Sequence, residues 1–303
     1  MTTDISLDAD RAAWLPAFLR RLADGYRAEG LAAPAAEHLA EQQREQTEKW
    51  TLAAVREGGR TVGYAAVAVT DRDGSPVGRI GEVWTEPGRT ELRPAVLAWA
   101  ERWCAERGGR RIEVRVVGSD PLFDRYAVRG QTRVKELAAT AVVPGGVTAR
   151  PMTAEEYPLW RAEQDDAYVA DIVRSGSHTE PEARAKSATD FARLLPEEMA
   201  TPGHAFLVME ADGGPIGTGW LLHGFLPGVT FGYSLDVRPE LRGRGFGRAA
   251  MAVGEQAVLA AGDRALMFNV FGGNEAAMGL YTSAGYRVLE EGRSRDVSGG
   301  PEA

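Results

Sequence analysis

Apolar and polar positions along the chain change period in a regular order. Residues 12–49 read as helical. Two apolar runs, 50–55 and 61–70, flank Gly58-Gly59, and a tight glycine turn between such runs predicts a hairpin. A third strand is expected over 79–85, after the turn Asp73-Gly74-Ser75-Pro76. A helix over 92–107 ends at Gly108-Gly109, followed by a strand over 111–117 and a short helix over 121–128.

The second half repeats this order. Helices are expected over 154–173 and 181–195, the latter opened by Thr179 and Pro181. Strands follow over 205–210 and 215–223, joined by Asp212-Gly213-Gly214, and a third strand covers 229–237. Then come a helix over 245–261, a strand over 265–271, a helix over 274–284 and a strand from Tyr286. Pro239 stands 152 positions after Pro87, and Gly285 stands 155 after Gly130. Offsets so similar, near half the chain length, point to a tandem duplication. Pro144-Gly145-Gly146 is the expected linker, giving domains 1–145 and 146–303.

Composition narrows the function. The 303 residues are 44% hydrophobic and 26% charged, which is ordinary for a folded chain and enough for two domains. A net charge of −8 argues against nucleic acid as a partner. No apolar run reaches the ~20 residues of a bilayer span, so no membrane partner is expected. The polar start Met1-Thr2-Thr3-Asp4 is unlike a secretory signal, so a cytoplasmic location is expected. Cys104 is the single cysteine, and His38, His178, His204 and His223 are scattered, so no metal site is expected.

The segment Leu235-Asp236-Val237-Arg238-Pro239-Glu240-Leu241-Arg242-Gly243-Arg244-Gly245-Phe246-Gly247-Arg248 carries the most specific chemistry. It reads as a strand, a glycine-rich turn and a helix start. Phe246, Ala250, Val253 and Ala257 give that helix one apolar face. Three glycines at alternate positions leave backbone N–H groups open to an anion, and the helix adds its positive end. This is either a pyrophosphate cradle or a tight strand–helix turn. It has neither the P-loop lysine nor the dinucleotide glycine spacing. In a second segment Asn274 is a plausible helix N-cap and Gly285 a helix end. Between them Tyr281 is either a core aromatic or a functional hydroxyl.

Taken together, Leu-x-Val-x-Pro-x-x-Arg-Gly-x-Gly-x-Gly and Asn-x-x-Ala-x-x-Leu-Tyr-x-x-x-Gly-Tyr resemble the GNAT superfamily of N-acetyltransferases over 147–297. The resemblance implies an α/β fold of the α+β type. It consists of two GNAT-like domains, each a mixed, mostly antiparallel sheet flanked by helices. It implies acetyl-CoA as acyl donor, without a metal. The cradle would be formed by Arg242, Gly243, Arg244, Gly245, Phe246, Gly247 and Arg248. Main-chain groups of Leu235 and Val237 would pair with the pantetheine arm, which would enter a splay between their strand and 265–271. Asn274 would touch the cofactor, and Tyr281 would protonate the leaving thiolate. A tyrosine suits that role because its reference pKa of about 10 keeps it protonated.

The implied reaction is direct attack on the thioester by a primary amine of a small molecule or peptide, in a ternary complex. The amine must first lose a proton. Where relatives often carry a carboxylate, this chain has Ser234. Ser234 or Tyr233 holding a water is therefore one candidate. Asp236 is a direct base candidate, with strand alternation expected to turn it to the opposite face. Gln164, Asp165, Asp166, Tyr168 and Asp171 form either a solvated helix face or an acidic mouth for a cationic amine. His223 is structural or a proton shuttle.

In the first half the turn reads Gly88-Arg89-Thr90-Glu91-Leu92-Arg93-Pro94. The alternate glycines are gone, Glu91 would repel phosphate, and Ser119 stands where the second half has Asn274. That half reads as a degenerate copy that does not grip CoA. A catalytically inactive CoA-binding or interaction module is the alternative for the whole chain. The expected state is a monomer or homodimer.

Overall fold

The computed structural model describes residues 3–72, 74–138, 142–143, 146–174, 179–273 and 275–297. They form two compact units, residues 1–136 with 267–303, and residues 137–266.

The first unit begins with β1 (Thr3–Ser6) and three helices, α1 (Arg11–Ala28), α2 (Ala33–Glu41) and α3 (Arg44–Thr47). The helical stretch expected over 12–49 is thus divided into three helices. Gly30 adopts φ 97°, and the N–H groups of Gly30 and Leu31 bond back to Arg27 and Tyr26. That closes α1 with a left-handed glycine, and Pro34 opens α2. Asp10 caps α1 by accepting from the N–H of Ala12 and Ala13. Strands β2 (Thr51–Glu57), β3 (Arg60–Arg72) and β4 (Ser75–Thr85) form an antiparallel meander. A 3-10 turn, Pro87–Leu92, leads into α4 (Arg93–Ala105), and β5 (Arg111–Val117) returns parallel to β4. One face of α4, with Val96, Leu97, Ala100 and Cys104, fills the core against Val67, Ile80 and Ile112. Burial pushes the Cys104 thiol up to about 11, so it stays a protonated core atom.

The short helix expected over 121–128 is only a 3-10 turn, Pro121–Phe123, and Ala127–Glu136 is strand β6. Its side chains are mostly half-exposed, so no apolar run announces it.

The second unit holds β7 (Thr148–Pro151), α5 (Tyr157–Arg174), α6 (Glu180–Leu194), β8 (His204–Ala211), β9 (Gly214–Leu226), β10 (Val229–Val237) and α7 (Phe246–Ala260). Strands β7 to β10 are antiparallel neighbours in chain order. Glu182 accepts from the Thr179 N–H at 2.8 Å and starts α6. Ala249, Ala250 and Val253 of α7 pack on Met209, Ile216 and Leu235, as the helical spacing predicts.

β11 (Ala265–Phe271) crosses from one unit to the other, and α8 (Glu275–Ser283) and β12 (Arg287–Asp296) belong to the first. β12 lies between β5 and β6, antiparallel to both, with Glu291 opposite Val116 and Gln131. The expected domains, 1–145 and 146–303, follow the order of the duplication, whereas the compact units follow this strand pairing. The last strand of the chain completes the sheet of the first unit. Pro144 and Gly145 of the expected linker lie outside the described residues.

Candidate active site

The segment singled out in the sequence folds as a strand, a turn and a helix within the second unit. β10 pairs with β9 in an interrupted register. Gly232 faces Leu221 and Ser234 faces Trp220, which leaves Tyr233 as an extra residue. Such a bulge bends the strand and frees it from the ladder at one point. Beyond it the pairing resumes, with Leu235 opposite Gly219 and Val237 opposite Gly217.

The bulge and the pleat sort the side chains. Leu235 and Val237 turn towards α7. Tyr233 stacks on Trp220 at 4.3 Å between ring centroids, and Trp220 in turn meets Trp160 of α5 and Phe191 of α6. Ser234 and Asp236 are two residues apart with no bulge between them, so both face α5 and α6. Gln164 of α5 donates to Asp236 at 3.2 Å. The expectation that alternation separates Asp236 from Ser234 is therefore corrected, because a period of two keeps them together.

Their surroundings differ. Asp236 is exposed. The Ser234 hydroxyl oxygen is shielded from solvent and has no hydrogen-bond partner among the described residues. Burial raises the pKa of Tyr233, so its hydroxyl is a donor rather than a base at neutral pH.

After β10, Pro239–Leu241 forms a 3-10 turn and Arg242 Nε donates to the Val237 carbonyl at 3.0 Å. Gly243 (φ 78°) and Gly245 (φ 86°) then adopt left-handed backbone. An added Cβ would meet nothing within 4 Å at either position, so the turn faces open space there. Gly245 is the N-cap of α7, and no side chain caps the helix. The first amides of an α-helix have no acceptor within the helix, and here they meet the positive dipole end beside exposed Arg242 and Arg244. Phe246 is half-buried and joins the apolar cluster under α7, which anchors the turn. This geometry fits a pyrophosphate group.

Tyr281 lies on α8, in the first unit. Its ring is half-buried and packs against Phe268 at 4.5 Å and Tyr286 at 6.3 Å. Asn274 and His178 lie outside the described residues.

On the helix face that reads as either solvated or an acidic mouth, Asp165 and Asp166 are already engaged. Asp165 accepts from the Ser187 hydroxyl at 2.5 Å, and Asp166 pairs with Arg184 at 3.3 Å. The Tyr168 hydroxyl donates to Asp190, which also pairs with Lys186. His223 meets Thr230 Oγ1 at 2.9 Å, and that hydroxyl donates to buried Asp263 at 2.6 Å. This chain closes the β9–β10 hairpin, where a structural role suffices. Sequence reasoning missed His204. Its Nδ1 accepts from Trp220 Nε1 at 2.8 Å, and its ring stacks on Tyr233.

The model of the acetyltransferase (GNAT) family matches residues 160–286. A mycothiol acetyltransferase of Cellulomonas flavigena is 30% identical over 244 residues, covering 74% of this chain and 68% of that protein. The chain belongs to the acetyltransferase (GNAT) family. Two solved structures, each 18% identical, share its fold end to end. One is a GCN5-related N-acetyltransferase from Sphaerobacter thermophilus, with a TM-score of 0.56 over 99% of this chain and 98% of that one. The other is a tandem GNAT protein from the clavulanic acid biosynthesis pathway, solved without acetyl-CoA, with a TM-score of 0.50 over the whole of both chains. This GNAT protein is accordingly a tandem of two GNAT-like domains and an acyltransferase. Among its described residues no cluster of three or more His, Cys, Asp or Glu could hold a metal, and no helix is long and apolar enough to cross a membrane.

Proposed function

We propose that the chain is an acetyl-CoA-dependent N-acetyltransferase whose second half carries the donor site. The observation that carries this reading is the turn at Gly243 and Gly245. It is open, left-handed and uncapped, at the end of a bulged strand. Acetyl-CoA would supply a thioester whose acyl carbon accepts the amine. The amides from Arg242 to Arg248 would hold its pyrophosphate, and the main chain of Leu235 and Val237 would hold its arm. Asn274, carried over from the family motif, would add a cofactor contact.

Asp236 takes the proton from the attacking amine, directly or through water, because it is an exposed carboxylate oriented by Gln164. Ser234 shares its face and gains a partner for its unpaired hydroxyl when the acceptor group arrives. Tyr281 gives its hydroxyl proton to the departing thiolate as the C–S bond breaks. The acceptor is a primary amine of a small molecule or peptide. Because a similar protein is named a mycothiol acetyltransferase, acceptors related to mycothiol form the first arm of the amine panel.

A second reading is a CoA-binding module without turnover, favoured by a serine rather than a carboxylate at Ser234. Release of free thiol from acetyl-CoA across the panel separates the two. Amine-dependent release that disappears in Gly245→Glu supports the enzyme. Binding of acetyl-CoA without release by any amine supports the module.

A further inference from the structure

A cavity lies wholly within the first unit, away from the glycine turn in sequence and in element. Its volume is about 640 Å³, within the range of small-molecule sites. It forms where β4 and β5 part company. Their parallel pairing ends at Ile80 opposite Val114, and a bulge at Gly81 follows. An added Cβ at Gly81 would sit 2.8 Å from the Trp50 ring, so this glycine lets the indole lie flat as one wall.

The polar lining is unbalanced. Arg79 is half-buried and has no hydrogen-bond or ion-pair partner among the described residues. Arg129 donates from Nε to Ser294 Oγ at 2.7 Å and has no carboxylate partner among the described residues. The other two arginines are already engaged. Arg115 meets Gln43 at 3.1 Å and Glu290 at 3.7 Å, and Arg293 is held by Glu291 at 2.6 Å. The one carboxylate on the wall is Glu113, opposite Arg79 in the register and 3.9 Å from Arg111. A guanidinium held part-way out of water with its donor fork unfilled is expensive to maintain. A planar anion with two oxygens would fill that fork.

We infer that this cavity binds a small organic anion, a carboxylate or a phosphate, on the guanidinium groups of Arg79 and Arg129. The ligand is not acetyl-CoA. The adjoining turn is a 3-10 helix, Pro87–Leu92, with no left-handed glycine to cradle a pyrophosphate. The site would give the first half a ligand of its own.

The test is calorimetric titration of the full chain with inorganic phosphate, malate and citrate, and separately with acetyl-CoA. One of the anions is expected to bind at one per chain. Phosphate alone, or the carboxylates alone, would say which chemistry fits. Arg79→Gln should weaken that anion roughly tenfold to a hundredfold, as expected for a lost charged hydrogen-bond pair. Acetyl-CoA affinity should stay unchanged in the same variant. Arg129→Gln, an exposed position, should weaken the anion severalfold and carries the test if Arg79→Gln unfolds. The inference is overturned if no anion binds up to about 10 mM. It is equally overturned if both variants bind as tightly as the parent, or if the anion and acetyl-CoA compete.

Discussion

The two halves leave their central strands by turns that could hardly differ more. After β10 the chain passes through Gly243 and Gly245 in left-handed backbone and enters α7 uncapped. After β4 it passes through a 3-10 turn in which charged side chains satisfy one another. Arg60 pairs with Glu86 at 2.7 Å, Arg89 with Glu57 at 2.5 Å, and Arg93 with Asp120. One turn is open and left-handed at its glycines, and the other is held by ion pairs. The strand before each turn has diverged less. The bulge at Gly81 in β4 and the bulge at Tyr233 in β10 stand 152 positions apart, the offset of Pro87 and Pro239. The same offset sets Glu82 against Ser234. The half with a carboxylate at this position has no left-handed glycine turn after its strand, and the half with that turn has a serine here. Glu82 is half-buried and accepts from Trp14 Nε1 and Arg21. The two halves thus share a backbone irregularity at one position while the side chains beside it differ.

The comparison breaks most readily at Tyr281 and at Tyr126, which stands 155 positions before it, the offset of Gly130 and Gly285. Tyr281→Phe should lower turnover roughly a hundredfold to a thousandfold, with acetyl-CoA affinity nearly unchanged. Tyr126 is fully buried and donates to Glu101 at 2.6 Å, so Tyr126→Phe should lower the melting temperature and leave turnover alone. Equal losses of affinity and turnover in Tyr281→Phe would count against the acid role.

Asp236→Asn should cut kcat/KM roughly tenfold to a hundredfold near neutral pH. The defect should shrink as pH approaches about 10, where aliphatic amines lose their proton unaided. Glu82→Gln, in the other half, should leave the pH–rate profile as it was. A defect in Asp236→Asn that is the same at every pH would mean the carboxylate only positions the acceptor.

The bulges can be tested by exchange. Gly81→Tyr, which copies Tyr233, would drive a side chain into the Trp50 ring and should destabilise the fold by about 1–3 kcal/mol. Chemical denaturation would measure it, and an unchanged midpoint would mean that Trp50 moves aside freely.

The smallest effect concerns His204. Burial lowers its proton affinity, so it is neutral in the fold and protonates more readily in the unfolded chain. The unfolded state therefore binds more protons, and stability is lost as pH falls below about 6.5. His204→Phe should flatten the melting-temperature curve between about pH 7 and pH 5, with His223 supplying the slope that remains. An unaltered slope would place the pH dependence elsewhere.

Much of the hairpin and turn structure was legible because its signals are local. Gly58-Gly59 and Asp212-Gly213-Gly214 mark hairpins by their own backbone needs, and Gly243 and Gly245 mark the cradle in the same way. The bulges were not legible, since Tyr233 looks like any other strand residue until its partner strand is known. The partners of β12 were equally hidden, because strand pairing between Arg287–Asp296 and residues 111–136 leaves no trace in the spacing of either. The acidic helix face stayed open to two readings for a related reason. Asp165 and Asp166 are answered by Ser187 and Arg184, which only the packing of α6 on α5 brings to them. The pairing of Glu82 with Ser234 was open to view in the 152-residue offset, but its meaning required the matching bulges.

The central claim is that one half grips acetyl-CoA and the other does not. Calorimetric titration of acetyl-CoA into the full chain, Gly245→Glu and Gly88→Glu tests it most directly. The account predicts one acetyl-CoA per chain, abolished in Gly245→Glu and retained in Gly88→Glu. Two per chain, or one that survives Gly245→Glu, would contradict it.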